Sequence, residues 1–332
     1  MTPEISVVLP VWNAVSTIER AVRSILDQTF GTFELIVVDD GSTDGTAEIL
    51  EQISDARLQV VRTEHQGVAA AANLGTRRAA AAVMARMDAD DFAYPDRLAC
   101  QLAYLEKHEL DVVGSRVQIQ SATGRLTDGM ARYEQWINED TITAQQILAL
   151  RFVEFPLVNP SILARRHYFL LSFADNSFPE DYDLMLRAAN RGMRFGKIPE
   201  VLLNWTDSPD RLTRTNWRYS ADAFMNCRRF HLLHGPLLGV STVDLWGAGQ
   251  TGKPWLRWLN DRKIMVRKLI DVSQRRQGQT IHGVRVIAPD QVSEPDGTPV
   301  IVAVGAAGAR SVITEFLRER CYQIGSDVWF VA

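Results

Sequence analysis

The apolar positions of the first hundred residues switch between two periods. Continuous apolar runs at Ile5 to Leu9, Leu35 to Val38 and Leu58 to Val61 have the length and composition of buried strands. Between them, Ser16 to about Gln28 and Thr46 to Ile53 space their apolar residues as helices do. The alternation predicts a βαβαβ unit with a mostly parallel sheet between helices. Ser16-Thr17-Ile18-Glu19 has the form of a capping box, which would fix the start of the first helix. An Ala-rich helix is expected from Gly67 to Ala82, then a short strand to Met87, then a helix opened by Pro95-Asp96-Arg97-Leu98 with the proline near its first turn.

From Asp111 the pattern becomes mixed, with short strands at Val112-Val113 and Val117 to Gln120 and helices at Thr143 to Leu150 and Tyr182 to Arg191. This reads as an α+β completion of the same domain. Trp217 to His234 is expected as one helix that Gly235-Pro236 ends, which places the domain boundary there: residues 1–236 and 237–332. A second, smaller α/β unit follows: a strand at Val243 to Trp246, a glycine turn, a helix to about Arg262, a strand at Lys268 to Ile270, and a strand at Val300 to Val304 before Gly305-Ala306-Ala307-Gly308. The expected fold is two α/β domains in series.

Composition narrows the function classes. The 332 residues are 46% hydrophobic and 23% charged, with a net charge of −4, so a large core is available and the basic footprint of a nucleic-acid binder is missing. Three distant cysteines, Cys100, Cys227 and Cys321, indicate neither a disulfide framework nor a zinc site. No apolar run approaches the ~20 residues of a membrane-crossing helix, and a strand-like run begins at Ile5 with no signal peptide ahead of it. The expected location is cytoplasmic; peripheral association with the inner face of the membrane and homo-oligomerisation are left open.

Loops after successive parallel strands gather at the carboxyl edge of a sheet, where ligands bind. Trp12-Asn13, Asp39-Asp40 and Asp88-Ala89-Asp90 would therefore share one edge. Paired carboxylates at a strand end suit Mg²⁺ or Mn²⁺, hard ions that leave further positions to phosphate oxygens and water. Taken alone, the Asp-x-Asp reads more readily as a solvated acidic turn or a helix N-cap before Phe92, and Glu180-Asp181 as helix N-terminal charge.

Four ordered motifs give these residues a context: Val8-Leu9-Pro10-Val11-Trp12-Asn13, Val38-Asp39-Asp40-Gly41-Ser42, Met87-Asp88-Ala89-Asp90-Asp91 and Pro179-Glu180-Asp181-Tyr182-Asp183. Over residues 1–235 the chain resembles the family 2 glycosyltransferases of the GT-A fold. The resemblance implies that Pro10, Val11, Trp12, Asn13, Asp39 and Asp40 hold the donor nucleoside. It also implies that Asp88, Ala89 and Asp90 hold its diphosphate through Mn²⁺ or Mg²⁺, with Asp88 and Asp90 as ligands, and that Asp181 is the general base, with Glu180 as an orienting neighbour. The family's Ala-Arg-Asn is here Ala71-Ala72-Asn73, which keeps Asn73 as a donor contact and lacks the arginine; Arg77, Arg78 and Arg86 are the candidates to replace it. Arg211, in a turn-rich loop, is read as a phosphate contact or a surface ion pair, and Trp205 as a sugar platform or a core residue.

No Gln-x-x-Arg-Trp motif of processive members occurs. The function implied is inverting, metal-dependent, non-processive transfer of a sugar from a nucleotide donor to a glycan, lipid-linked or small-molecule acceptor in glycan or glycoconjugate assembly. A sugar-1-phosphate nucleotidylyltransferase would need a glycine-rich loop where Pro10-Val11-Trp12-Asn13 stands. A catalytically weak sensor or scaffold has only the missing arginine at Ala72 in its favour.

In the second unit Gly247-x-Gly249-x-x-Gly252 follows a strand and opens a helix, and Asp271 ends the next strand. That context makes a nucleotide-binding fingerprint with the helix N-terminus available to phosphate. Ile270 to Ile287 resembles the Rossmann-like domains of sugar-nucleotide-modifying enzymes and sugar acetyltransferases, implying a nucleotide or sugar nucleotide held by Gly247, Gly249, Gly252 and Asp271. The competing reading is a ligand-free scaffold for oligomerisation.

Overall fold

Every residue of the first strand, β1 (Ile5–Val11), is buried, which is why its sequence shows no polar alternation. The computed structural model to which it belongs describes residues 2–139, 141–174 and 177–332. The chain forms two compact units, one of Met1–Ala144 and Pro156–Cys227, the other of Gln145–Phe155 and Arg228–Ala332. The partition expected from sequence, 1–236 and 237–332, differs in two places: the segment 145–155 groups with the second unit, and the division falls at residue 227.

The first unit is built on an eight-stranded sheet in the order β3-β2-β1-β4-β7-β6-β8-β5. Its strands are β1, β2 (Phe33–Asp39), β3 (Leu58–Arg62), β4 (Val83–Arg86), β5 (Phe92–Ala93), β6 (Val112–Ser121), β7 (Leu163–Arg165) and β8 (Phe195–Asp207). The first four pair in parallel, with Val11 beside Asp39 and Val8 beside Arg86. Helices α1 (Ile18–Leu26), α2 (Thr46–Gln52), α3 (Val68–Arg78) and α4 (Arg97–Lys107) follow strands in this half, and α5 (Asp128–Glu139) follows β6. At the amino edge the buried Ser6 hydroxyl donates to Glu34 at 2.6 Å, and the other Glu34 oxygen accepts from Gln59 at 2.9 Å.

Several sequence expectations change. The capping box does not form: Thr17 is the N-cap and makes no side-chain capping bond, and Glu19 instead pairs with Arg23 one turn on. Helix α3 ends at Arg78 rather than Ala82, because Ala79 is extended and Ala81 N–H turns to the Ser6 hydroxyl. Pro95 lies directly before the N-cap Asp96 of α4, near the first turn as expected. The two short strands after Asp111 are one, β6, with register shifts against β8 between Ser115 and Val117. Strand β8 and helix α5 were not expected; Lys197 and the Pro199-Glu200 pair interrupt the apolar run of β8, while α5 buries only Ile137 and so carries a thin apolar stripe.

The remaining helices are α6 (Ala144–Leu150), α7 (Arg166–Phe169), α8 (Glu180–Asn190), α9 (Leu212–Thr215), α10 (Ala221–Leu233), α11 (Gly252–Asp261) and α12 (Ala309–Glu319). The expected helix Trp217 to His234 is broken, with a 3-10 turn at Trp217–Tyr219 before α10 begins. The second unit has the sheet order β11-β12-β10-β9-β13-β14, from β9 (Thr242–Trp246), β10 (Met265–Ile270), β11 (Thr280–Ile281), β12 (Val284–Ile287), β13 (Val300–Val302) and β14 (Val328–Phe330). All neighbours are parallel except β11 and β12. Among the described residues no helix is long and apolar enough to cross a membrane.

Helix α3 reaches the sheet so closely that a Cβ on Gly75 would lie 2.4 Å from a methyl of Val8. Overpacking there outweighs the better helix propensity of alanine. Gly75→Ala is expected to lower the unfolding free energy by about 1–3 kcal/mol, read by urea denaturation; unchanged stability would contradict this packing.

Candidate donor and acceptor site

The loops after β1 and β2 are stitched together where those strands end. Asn13, at a positive φ of 51°, donates its N–H to the Ser42 hydroxyl at 2.9 Å and accepts from Thr43 N–H at 2.8 Å. The Asp39 carboxylate accepts from Ser42 N–H at 3.0 Å. Asp40, also buried, accepts from the N–H groups of Gln66 and Gly67 at 2.9 and 2.8 Å and pairs with His65 at 2.9 Å. The His65 ring stacks under half-exposed Trp12 with centroids 4.4 Å apart. Pro10 and Val11 are buried strand residues that set the height of this shelf. Asn13, Asp39 and Asp40 thus shape the edge, and Trp12 is the member that presents a face to solvent.

The Asp88-Ala89-Asp90-Asp91 turn follows β4 on the same edge. Asp88 Oδ1 accepts two bonds from the buried Arg86 guanidinium, at 2.9 and 2.8 Å, which leaves Oδ2 outside that fork. The Asp90 carbonyl accepts from Arg20 at 2.8 Å and from the Thr206 hydroxyl at 2.6 Å, so the main chain is pinned while the carboxylate stays clear of both donors. Burial and the Asp88 charge push Asp90 up to about 6, against the pull of Arg211 and Arg20. Asp91 is buried and turned inward, where it accepts from Thr206 N–H at 2.8 Å; burial and the charges of Asp90 and Asp88 hold it well above the usual carboxylate range. Asp88 and Asp90 therefore fit a divalent cation: two carboxylates with oxygens to give, whose mutual repulsion a cation would remove.

Asp181 lies in the first turn of α8, accepting from Tyr182 N–H at 2.7 Å. Burial, the Glu180 charge and the Asp88 charge raise it to about 7. The influence of Asp88 on both Asp90 and Asp181 brings the third and fourth sequence motifs into one electrostatic field. Glu180 is buried and accepts from the Tyr219 hydroxyl. Asp183 is buried and bound to Arg187 at 2.8 Å, which makes it a poor second candidate for a base.

Asn73 does not present its amide to the edge. It clamps the backbone of Phe173, giving and taking a bond at 2.8 Å each, and the Phe173 ring lies 5.8 Å from the Arg86 guanidinium. Arg77 and Arg78 sit at the far end of α3, by the amino edge, so Arg86 is the candidate arginine that stands at the carboxyl edge. Arg211 stacks over Trp205 at 4.0 Å and approaches Asp207 at 3.5 Å, while Trp205 also packs near Tyr133. Trp205 is thus a packed residue that carries Arg211. Arg20, His65, Thr206 and Tyr219 were missed by sequence reasoning, since each enters through a contact distant in sequence and has no local motif.

In the second unit the glycines divide by role. A Cβ on Gly252 would meet the Gly247 carbonyl oxygen at 1.7 Å, and one on Gly247 would meet the Ala303 oxygen at 2.5 Å with φ at 117°. Gly249 is open, its nearest neighbour the Arg276 guanidinium at 3.6 Å. Asp271 accepts from Ala248 and Ser273 N–H groups at 2.8 Å each and pairs with Arg276 at 3.2 Å. Its carboxylate is committed to holding the glycine loop. Gly252→Ala is therefore expected to destabilise this unit by more than about 2 kcal/mol, whereas Gly249→Ala should melt within a few degrees of wild type. Equal melting temperatures for the two variants would contradict the division.

With this geometry in view, the comparisons with known proteins are direct. The model of the family described as "Glycosyl transferase family 2" matches residues 6–168. The putative glycosyltransferase EpsE of Bacillus subtilis (strain 168) is 30% identical over 244 residues, covering 69% of this chain and 84% of that protein. Several other curated relatives are much longer, and the chain spans only 18–28% of their length. Among solved structures, S. aureus TarS 1–349 in complex with UDP-GlcNAc has a TM-score of 0.55 at 20% identity, over 70% of this chain and 67% of that one. The mannosyltransferase PcManGT of Pyrobaculum calidifontis, in complex with GDP-Man and Mn²⁺, has 0.50 at 21%, over 79% and 70%. These structures establish the fold. The chain belongs to glycosyl transferase family 2 and is a glycosyltransferase of the GT-A fold.

Proposed function

We propose that the chain transfers a single sugar, with inversion, from a nucleoside diphosphate donor to an acceptor hydroxyl in glycan or glycoconjugate assembly. The observation that supports this reading is geometric: Asp88 and Asp90 follow β4 at the carboxyl edge with carboxylate oxygens to offer a cation, and the Asp88 charge also reaches Asp181 in the first turn of α8. Solved proteins of similar fold hold UDP-GlcNAc, or GDP-Man with Mn²⁺.

Asp88 and Asp90 would hold Mn²⁺ or Mg²⁺, and the ion supplies neutralising charge to the diphosphate leaving group. Trp12, supported by His65, offers an aromatic face to the base, with Asp39 and Asp40 fixing the loops around it. Arg211 is positioned by Trp205 near the Asp90 carboxylate, where it can add a second positive group to the phosphates. Asp181 takes the proton of the attacking hydroxyl; its raised pKa strengthens it as a base, and it works in the ionised form. Turnover should therefore rise with pH through an acid limb at or below about 7, lower once a cation offsets the charge of Asp88. In the second unit, we propose that the glycine loop takes the phosphates of a nucleotide or sugar nucleotide at open Gly249, with Asp271 holding the loop.

Asp181→Asn should keep donor affinity and lose about 10²–10⁴-fold in turnover, roughly 3–5 kcal/mol of barrier. Calorimetry for donor binding and a product assay across UDP-, GDP- and dTDP-sugars separate the two quantities. Near-wild-type turnover in this variant would exclude Asp181 as the base.

A further inference from the structure

The geometry points to Tyr219 as a positioning residue, whose hydroxyl fastens the segment carrying Arg211 to Glu180, the neighbour of Asp181. The inference rests on the reading of Asp181 as the base. The Tyr219 hydroxyl lies 2.6 and 2.7 Å from the two Glu180 oxygens, and Glu180 is only 5% exposed. A buried carboxylate without a donor is costly, and this bond supplies Glu180 with one. Burial and the charges of Glu180 and Asp181 push the phenol upward, which keeps it in the donating form.

The segment between β8 and α10 is fixed at both ends. At its start, Arg214 pairs with Asp207 at 2.8 Å and donates to the Ser208 carbonyl at 2.7 Å, while Arg211 lies over Trp205. Near its end, the Asn216 side chain accepts from Arg218 N–H at 3.0 Å and shapes the turn that delivers Tyr219 to Glu180. One connected strap therefore runs from Arg211, on the diphosphate side, to the first turn of α8, on the acceptor side.

The bond has two separable effects. It holds the strap, and it gives a donor to the Glu180 carboxylate that stands beside Asp181. The charged and titratable groups facing Asp181 are Glu180 on its own helix, Asp88 after β4, Tyr168 on α7 and Tyr219 on the strap, with Arg187 acting on Tyr168 and Arg218 on Tyr219. Loss of the Glu180 charge removes a repulsion that raises Asp181, so the carboxyl becomes more acidic and the acid limb of turnover moves to lower pH.

Two variants of the full chain test this. Tyr219→Phe removes the bond; Glu180→Gln retains an oxygen that can accept from Tyr219 but loses the charge. Turnover and KM would be measured by donor hydrolysis with Mn²⁺, using UDP-GlcNAc and GDP-mannose in parallel, and the strap by trypsin cleavage at Arg211, Arg214 and Arg218. Tyr219→Phe should raise donor KM and the strap cleavage rate about tenfold or more. In Glu180→Gln the cleavage rate should stay near wild type, and the acid limb should move down. A Tyr219→Phe protein with wild-type KM and trypsin resistance would overturn the proposal, and so would an unmoved limb in Glu180→Gln. If Tyr219→Phe does not fold, the Glu180→Gln limb decides; if neither donor is hydrolysed, the cleavage rates decide. Asp181→Asn with retained turnover would remove the base assignment while leaving the KM and cleavage outcomes of Tyr219→Phe to judge the strap.

Discussion

Carboxylate repulsion at one sheet edge is the constraint around which the first unit is arranged. Burial raises Asp90, Asp91 and Asp181, and the Asp88 charge adds to each, so the negative charge of this edge is shared rather than local. The fold answers with arginines drawn from four places: Arg20 on α1, Arg86 on β4, Arg97 on α4 and Arg211 on the strap. Arg97 shows the cost, since burial lowers it to about 10 even beside Asp91 and Asp88. Its guanidinium donates to the Arg86 carbonyl and to Gln101, bracing the strand that delivers Asp88. Asp88 keeps Oδ2 outside the Arg86 fork, and Asp90 stays raised despite Arg211 and Arg20, so the pair has oxygens to offer a cation.

Much of this was legible in the sequence because it is local. The parallel strands announce themselves as unbroken apolar runs, and the carboxylates that matter follow directly on strand ends or open a helix. What escaped was nonlocal. Asn73 looked like a donor contact because of its motif position, yet its amide is spent on the backbone of Phe173, a hundred residues away. Arg86 is the candidate arginine that stands at this edge, because β4 carries it there, whereas Arg77 and Arg78 are turned to the opposite end by the direction of α3. Strand β8 was hidden by Pro199 and Glu200, whose exposure is tolerated by the register shifts of its partner β6. The capping box failed because Asp44 and Thr46 draw the residues before α1 into the loop of the neighbouring strand: Val15 N–H goes to Asp44 and Ala14 N–H to Thr46.

The second unit shows the same contrast between motif and geometry. Its glycine spacing reads as a fingerprint, but Gly247 and Gly252 are dictated by each other and by Ala303, and Asp271 by the loop it braces. Only Gly249 faces open space with a guanidinium above it. The sheet order places β9 and β13 side by side, so the loops after Trp246 and Val302 meet where the chain reverses direction across the sheet.

The central claim is that the acidic edge is completed by a cation that bridges donor to protein. Isothermal titration of UDP-GlcNAc and GDP-mannose into the full chain, with Mn²⁺ and then with EDTA, tests it most directly when repeated on Asp88→Ala and Asp90→Ala. The account predicts that at least one donor binds with Mn²⁺, that EDTA weakens binding about tenfold or more, and that each substitution removes the metal dependence. Donor affinity that is the same with Mn²⁺ or EDTA in the wild type, and unchanged by both substitutions, would contradict it.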